Sequence, residues 1–163
     1  MRIRRAERAD EERLGTIRHD AILALAVPIL SQEEAETWAK HLSEDRIGRA
    51  IREHEVWVAE DEIAIGWIEI NKNHIAALYV SPDYAGSGIG SSLLAFAEAS
   101  IFRSGYRSVQ LEASRNALNF YMRRGYIQHG LPDAEGAYPL RKELSSAERV
   151  YETARSIALV DYC

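Results

Sequence analysis

Apolar residues recur along the chain in two rhythms, and the rhythm changes near residue 55. Before it, Leu14, Ile17, Ala21 and Leu25 fall at helical spacing. Asp10 has the chemistry of an N-cap for that helix, Glu11 and Glu12 suit its first turn, and Pro28 should end or kink it. "SQEE" at 31–34 has capping-box spacing and predicts a second helix through Trp38 and Leu42, with a third, short one over about 44–53. "IRRA" near the start is a short strand. After the change, "VWVAE", "IAIGWIEI" and "HIAALYV" are rich in β-branched and aromatic residues and read as strands. Only "DE" and "NKN" separate them, and connections that short impose antiparallel neighbours. Ile89, Leu93, Phe96, Ser100 and Ile101 then share a helical face that Gly105 closes. "SVQLEA" is a further strand, "NALNFYMRRG" a helix ending at Gly125, and "YIQHG" and "YPLRKEL" a last strand pair. The order predicts an α/β chain (an α+β mixed sheet, mostly antiparallel, flanked by helices). No stretch reads as a linker, so residues 1–144 form one domain, and the helical tail 145–163 is an extension of it.

Composition narrows the classes. The 163 residues are 47% hydrophobic and 28% charged, ordinary for a globular chain, and the net charge of -5 speaks against a nucleic-acid binder. The longest apolar run, 21–30, is interrupted by Pro28 and falls short of the roughly 20 residues a bilayer requires. The opening "MRIRRAERADEERL" has no apolar core, so no secretory signal is expected there. Cys163 is the lone cysteine, so no disulfide forms within the chain, which fits a cytoplasmic setting. His19, His41, His54 and His129 show no metal-ligand spacing, and no metal is expected.

The densest chemistry lies in "YAGSGIG" at 84–90, three alternating glycines between a strand and an apolar helix. Such a turn presents unpaired N–H groups at the positive end of a helix dipole, and Gly86, Gly88 and Gly90 let an anion approach the backbone. The arrangement points to a bound phosphate. A P-loop would need a lysine before Ser91, and none is near. A dinucleotide fingerprint would need its third glycine where Ser91 stands; Glu112 lies at about the right distance for its acid. Against that reading, "SPDY" separates strand from glycines, and antiparallel strands precede them.

"LYVSPDYAGSGIGSSLL" resembles the acetyl-CoA-binding motif of the GNAT superfamily of N-acetyltransferases, Q/R-x-x-G-x-G/A after a strand ending in V-x-P. "ASRNALNFYMRRGYI" is similar to the second signature of that family, and the resemblance runs over about 3–144. It implies a GNAT fold and acetyl-CoA as co-substrate. It implies direct transfer of acetyl, in a ternary complex, to a primary amine of a small molecule or peptide. Ala85 stands where the family has Gln or Arg, so a contact to the pyrophosphate is missing; Arg115 or Arg123 is placed to compensate. The cradle implied is Gly86, Ser87, Gly88, Ile89, Gly90 and Ser91, with Leu78, Tyr79 and Val80 lining the pantetheine arm and Asn116 hydrogen-bonding it. Asn116 reads equally well as a plain cap or turn residue.

By the same resemblance Tyr121 is the acid that protonates the departing thiolate, while Phe120 turns to the core. The general base has three candidates. His74 opens the cofactor strand where some members place a carboxylate, and imidazoles titrate near neutrality; a hairpin-edge histidine is the equal alternative. Glu69 follows. Its flanking Ile68 and Ile70 put it on the opposite strand face, expected to be solvated. Glu112 is third. Early helices usually border the acceptor in this fold, and here they carry Trp38, His41, Glu33, Glu34 and Glu36. Polyamines, amino acids, antibiotics and protein termini all remain open as acceptors, and a homodimer is left open too. Ala85 also suits a second class, an acyl-CoA-binding sensor that has lost catalysis. A dinucleotide-binding oxidoreductase is the third.

Overall fold

The computed structural model describes residues 1–26, 31–33, 36 and 45–145. Seven strands form one sheet: β1 (Arg2–Arg5), β2 (Glu55–Asp61), β3 (Ile63–Asn71), β4 (His74–Val80), β5 (Ser108–Ala113), β6 (Ile127–Gln128) and β7 (Tyr138–Glu143), in the order β1-β2-β3-β4-β5-β7-β6. The helices are α1 (Glu11–Ala26), α2 (Arg46–Glu53), α3 (Ile89–Arg103) and α4 (Leu118–Met122). Every strand pair is antiparallel except β4 with β5. The mixed, mostly antiparallel sheet expected from the pattern is therefore present. The helix expected over 31–42 and the tail after 145 fall largely or wholly outside the described residues.

The tight turns of the meander have clear local causes. Glu62 at φ 63° and Lys72 at φ 59° take the left-handed conformation that closes the β2–β3 and β3–β4 hairpins. Asp10 does not cap α1 as its position suggested. Its carboxylate turns back to accept from the Glu7 amide (2.8 Å) and to pair with Arg4 (2.8 Å), and the Arg4 guanidinium holds its pKa below the usual carboxylate range.

Both faces of β3 are covered. Ile68 and Ile70 join Ile89, Leu93 and Ile101 under α3, while Val56, Val58 and Trp67 pack with Leu14, Ile17 and Ile47 under α1 and α2. Trp67 Nε1 donates to the Leu14 carbonyl at 3.1 Å and Arg13 Nε to the Ala64 carbonyl at 3.0 Å, fixing α1 against the sheet. Gly66 lets α3 approach: a Cβ there would stand 3.0 Å from the Tyr79 carbonyl and 3.2 Å from Ile89 Cγ2. That close approach sets the start of α3 beside the end of β4.

A candidate acyl-transfer cleft

The site is built where β4 and β5 part. They share a single register point, His74 opposite Gln110, with Gln110 N donating to the Asn73 carbonyl at 2.9 Å. Beyond it the strands diverge, and a cleft of about 420 Å³ opens between them. Leu78, Tyr79, Val80 and Ala85 line one side, Glu112, Ala113 and Tyr121 the other, and Ala21 of α1 closes over it. A register shift after Glu69 leaves an extra residue, Ala76, in β4 and strengthens its bend away from β5. Ser81 N donates to the Ile65 carbonyl at 2.8 Å, toward β3. Strand alternation then turns the peptide groups of Leu78 and Val80 to the opposite edge, into the cleft.

At the mouth, Gly86 (φ 76°) and Gly88 (φ 89°) adopt left-handed conformations, and a Cβ on either would meet open space. Glycine is thus demanded by the backbone and not by packing. Ser87 N bonds the Tyr84 carbonyl and Ser92 N the Gly88 carbonyl. Between them the amides of Gly88, Ile89, Gly90 and Ser91 have no acceptor among the described residues. These free N–H groups, at the start of a 15-residue helix and aimed from the glycine turn, fit a pyrophosphate.

The neighbouring cation is Arg124. It lies over the Phe120 ring, 3.8 Å from the centroid, donates to the Phe120 carbonyl at 2.6 Å, and contacts Ser91 Oγ. Arg123 and Arg115 are exposed. The sequence signal missed here was the paired "RR": the helix turns the second arginine, not the first, toward α3. Asn116 is exposed in the turn before α4 and makes no capping bond, so its plain N-cap reading has no support.

Tyr121 is 8% exposed and lies between Phe120 (5.0 Å, edge-on) and Tyr126 (5.5 Å). It reaches the cleft wall while belonging to the core, and Phe120 is the less buried of the two. Burial pushes the phenol well above its ordinary value, so it stays protonated throughout the neutral range.

The three base candidates part ways. His74 Nε2 lies 2.5 Å from Glu112 Oε2, a dyad spanning the split between β4 and β5 and partly open to solvent. Glu69 is 2% exposed, not solvated, because α1 and α2 cover the face onto which strand alternation turns it. Its Oε1 is 2.6 Å from His54 Nδ1, and Arg46 Nη2 stands 2.8 Å from Oε2 at ion-pair distance without hydrogen-bond geometry. Of the expected acceptor border, Trp38, His41 and Glu34 lie outside the described residues. No cluster of three His, Cys, Asp or Glu side chains placed to hold a metal occurs among the described residues. No helix among them is long and apolar enough to cross a membrane.

A sheet that parts beside a glycine-rich helix start is the architecture of an acyl-CoA-type transferase and not of a doubly wound dinucleotide domain. The chain belongs to the GNAT acetyltransferase family: the sequence model of the acetyltransferase (GNAT) domain matches residues 26–137. Solved structures share the fold. A GCN5-related N-acetyltransferase from Rhodopseudomonas palustris is 24% identical over 87% of this chain and 94% of that one, with a TM-score of 0.77. PaiA N-acetyltransferase from Thermoplasma acidophilum, in complex with coenzyme A, is 23% identical over 87% and 98%, with a TM-score of 0.75. YncA from Salmonella typhimurium, a putative acetyltransferase with acetyl-CoA, is 17% identical over 90% and 95%, with a TM-score of 0.64. No curated protein matches the chain.

Proposed function

We propose that this chain transfers acetyl from acetyl-CoA directly to a primary amine of a small molecule or peptide. The observation that carries the proposal is the divergence of β4 from β5 directly beside the free amides of Gly88 to Ser91. The cleft takes the pantetheine arm in an extended form, and the N–H groups of Leu78 and Val80 bond to it as a third strand would. Acetyl-CoA supplies an activated thioester; the chain holds it, excludes water and moves protons.

His74 with Glu112 is the base that takes the amine's proton, directly or through a water molecule. With Nε2–H donating to Glu112, Nδ1 is left as the acceptor, and the carboxylate stabilises the imidazolium that forms. Glu69 is engaged by His54 and Arg46 and serves to hold α2 against β3. Tyr121, protonated and on the cleft wall, donates to the departing sulfur. Backbone N–H groups, with no reorganisation needed, stabilise the charge on the carbonyl oxygen.

The test is release of CoA thiol on mixing protein, acetyl-CoA and a panel of amines, with initial rates over both concentrations. Intersecting double-reciprocal lines are expected for a ternary complex. Binding of acetyl-CoA with no thiol release on any amine would overturn transfer and leave a sensor.

A further inference from the structure

One buried cation beside the cleft has no counter-ion among the described residues. Arg18 of α1 is 6% exposed, and its Nε has no hydrogen-bond partner among the described residues. Its guanidinium lies 5.7 Å from the centroid of the Tyr79 ring, which itself packs on Trp67 at 5.3 Å. Tyr79 and Ala21, one helical turn beyond Arg18, both line the cleft. Arginine does not lose its charge in proteins, so this is a permanent positive charge in a poorly solvated wall. The ring quadrupole offsets only part of that cost. Two buried or cleft-side acids among the described residues are engaged elsewhere: Glu69 with His54 and Arg46, Glu112 with His74. Arg13, five residues earlier on the same helix, shows the contrast, since its Nε donates to the Ala64 carbonyl.

We infer that Arg18 receives the carboxylate of the acceptor, and that the acceptor is an amino acid carrying its amine and carboxylate within one small molecule. The inference rests on the transfer reading above and narrows it. A planar guanidinium matches a carboxylate with two parallel N–H···O bonds. Arg18 sits beside the Tyr79 ring, and Tyr79 lies between Leu78 and Val80, whose amides face the cleft, so a small acceptor could reach both. The same charge repels polyamines, whose second cation would approach Arg18, and gives no advantage to a peptide N-terminus whose carboxylate is capped as an amide.

The experiment compares proteinogenic L-amino acids with their carboxamides as acceptors for the wild type, Arg18→Met and Arg18→Lys. The wild type should prefer at least one free acid over its amide by about tenfold or more in kcat/KM, the magnitude of one charge-assisted contact. Arg18→Met should abolish that preference and Arg18→Lys keep only part of it. Removing a buried, unpaired charge should leave Tm unchanged or raise it. If no amine supports thiol release, titration of N-acetyl-L-amino acids and their carboxamides into the protein with CoA decides the point by calorimetry. A carboxylate preference lost in Arg18→Met upholds the inference even though transfer has failed. Equal affinity or equal rates for acid and amide overturn it, as does a preference that survives Arg18→Met. A fall of several degrees in Tm in that variant also overturns it, because a counter-ion within the fold would then already hold Arg18.

Discussion

His74 and Glu112, 38 residues apart in sequence, meet at 2.5 Å across the last point where β4 and β5 run together. The pair marks the apex of the split, and the cleft opens from it toward the glycine turn. A histidine oriented by a carboxylate is a proton acceptor with a fixed tautomer, which is what a neutral-amine nucleophile requires.

His74→Gln should lower kcat about 10²-fold, at the lower end of general-base effects, with little change in acetyl-CoA affinity. Glu112→Gln should lower it less, because the imidazole remains and loses only its orientation. The loss should be smaller at high pH, where more of the acceptor is already deprotonated. Stopped-flow thiol release against pH checks both variants. An unchanged kcat with chemistry shown to be rate-limiting removes the dyad from the mechanism.

Much of the fold was legible because local chemistry and tertiary demand agree. Runs such as "IAIGWIEI" and "HIAALYV" became strands within a residue or two of their expected limits. Glu69 was misread for a physical reason: alternation tells which face a side chain takes, not whether a helix covers that face. Arg18 left a signal that passed unused, a charged residue on the Leu14, Ile17 and Ala21 stripe, where a solvated arginine does not belong. The pairing of His74 with Glu112 and the reach of Arg124 to Ser91 depend on how distant segments dock, and no local pattern encodes that.

Gly88→Val should fold but lose CoA. At φ 89° a β-branched residue is strained, so a drop in stability of about 1–2 kcal/mol is expected, although its Cβ meets no protein atom. The same branches would occupy the space the free amides face, and affinity for CoA should fall at least about tenfold. Calorimetry on the folded variant checks this. Unchanged affinity would mean that the amides do not hold the pyrophosphate.

Arg124→Ala should weaken CoA binding more than Arg123→Ala. Only Arg124 is held at the start of α3, by the Phe120 ring and carbonyl. Ala85→Arg, which restores the side chain the family usually has, should tighten binding by up to about tenfold, or about 1.4 kcal/mol. That gain should shrink as salt is added. No gain in Ala85→Arg at low salt, together with a loss in Arg124→Ala, would show that Arg124 already serves the phosphates.

Tyr121→Phe should lower kcat and leave acetyl-CoA affinity nearly unchanged, since the ring keeps its packing against Phe120 and Tyr126. Burial raises the phenol above its ordinary value, so proton transfer to a thiolate is uphill, and the effect should sit near about 10²-fold. It should be largest for weakly basic amines, whose adducts expel the amine more readily than the sulfur. The same burial makes a stability prediction with a definite sign. The folded state keeps this proton to higher pH than the unfolded chain does. Above about pH 10, the ordinary tyrosine value, the unfolded state binds fewer protons, and stability falls as pH rises further. Tyr121→Phe should therefore flatten the alkaline limb of a plot of unfolding free energy against pH, while leaving the curve below about pH 9 parallel to the wild type. Denaturant titrations from pH 7 to 11 measure it, and an identical alkaline slope in the variant would show that Tyr121 ionises as freely in the fold as out of it.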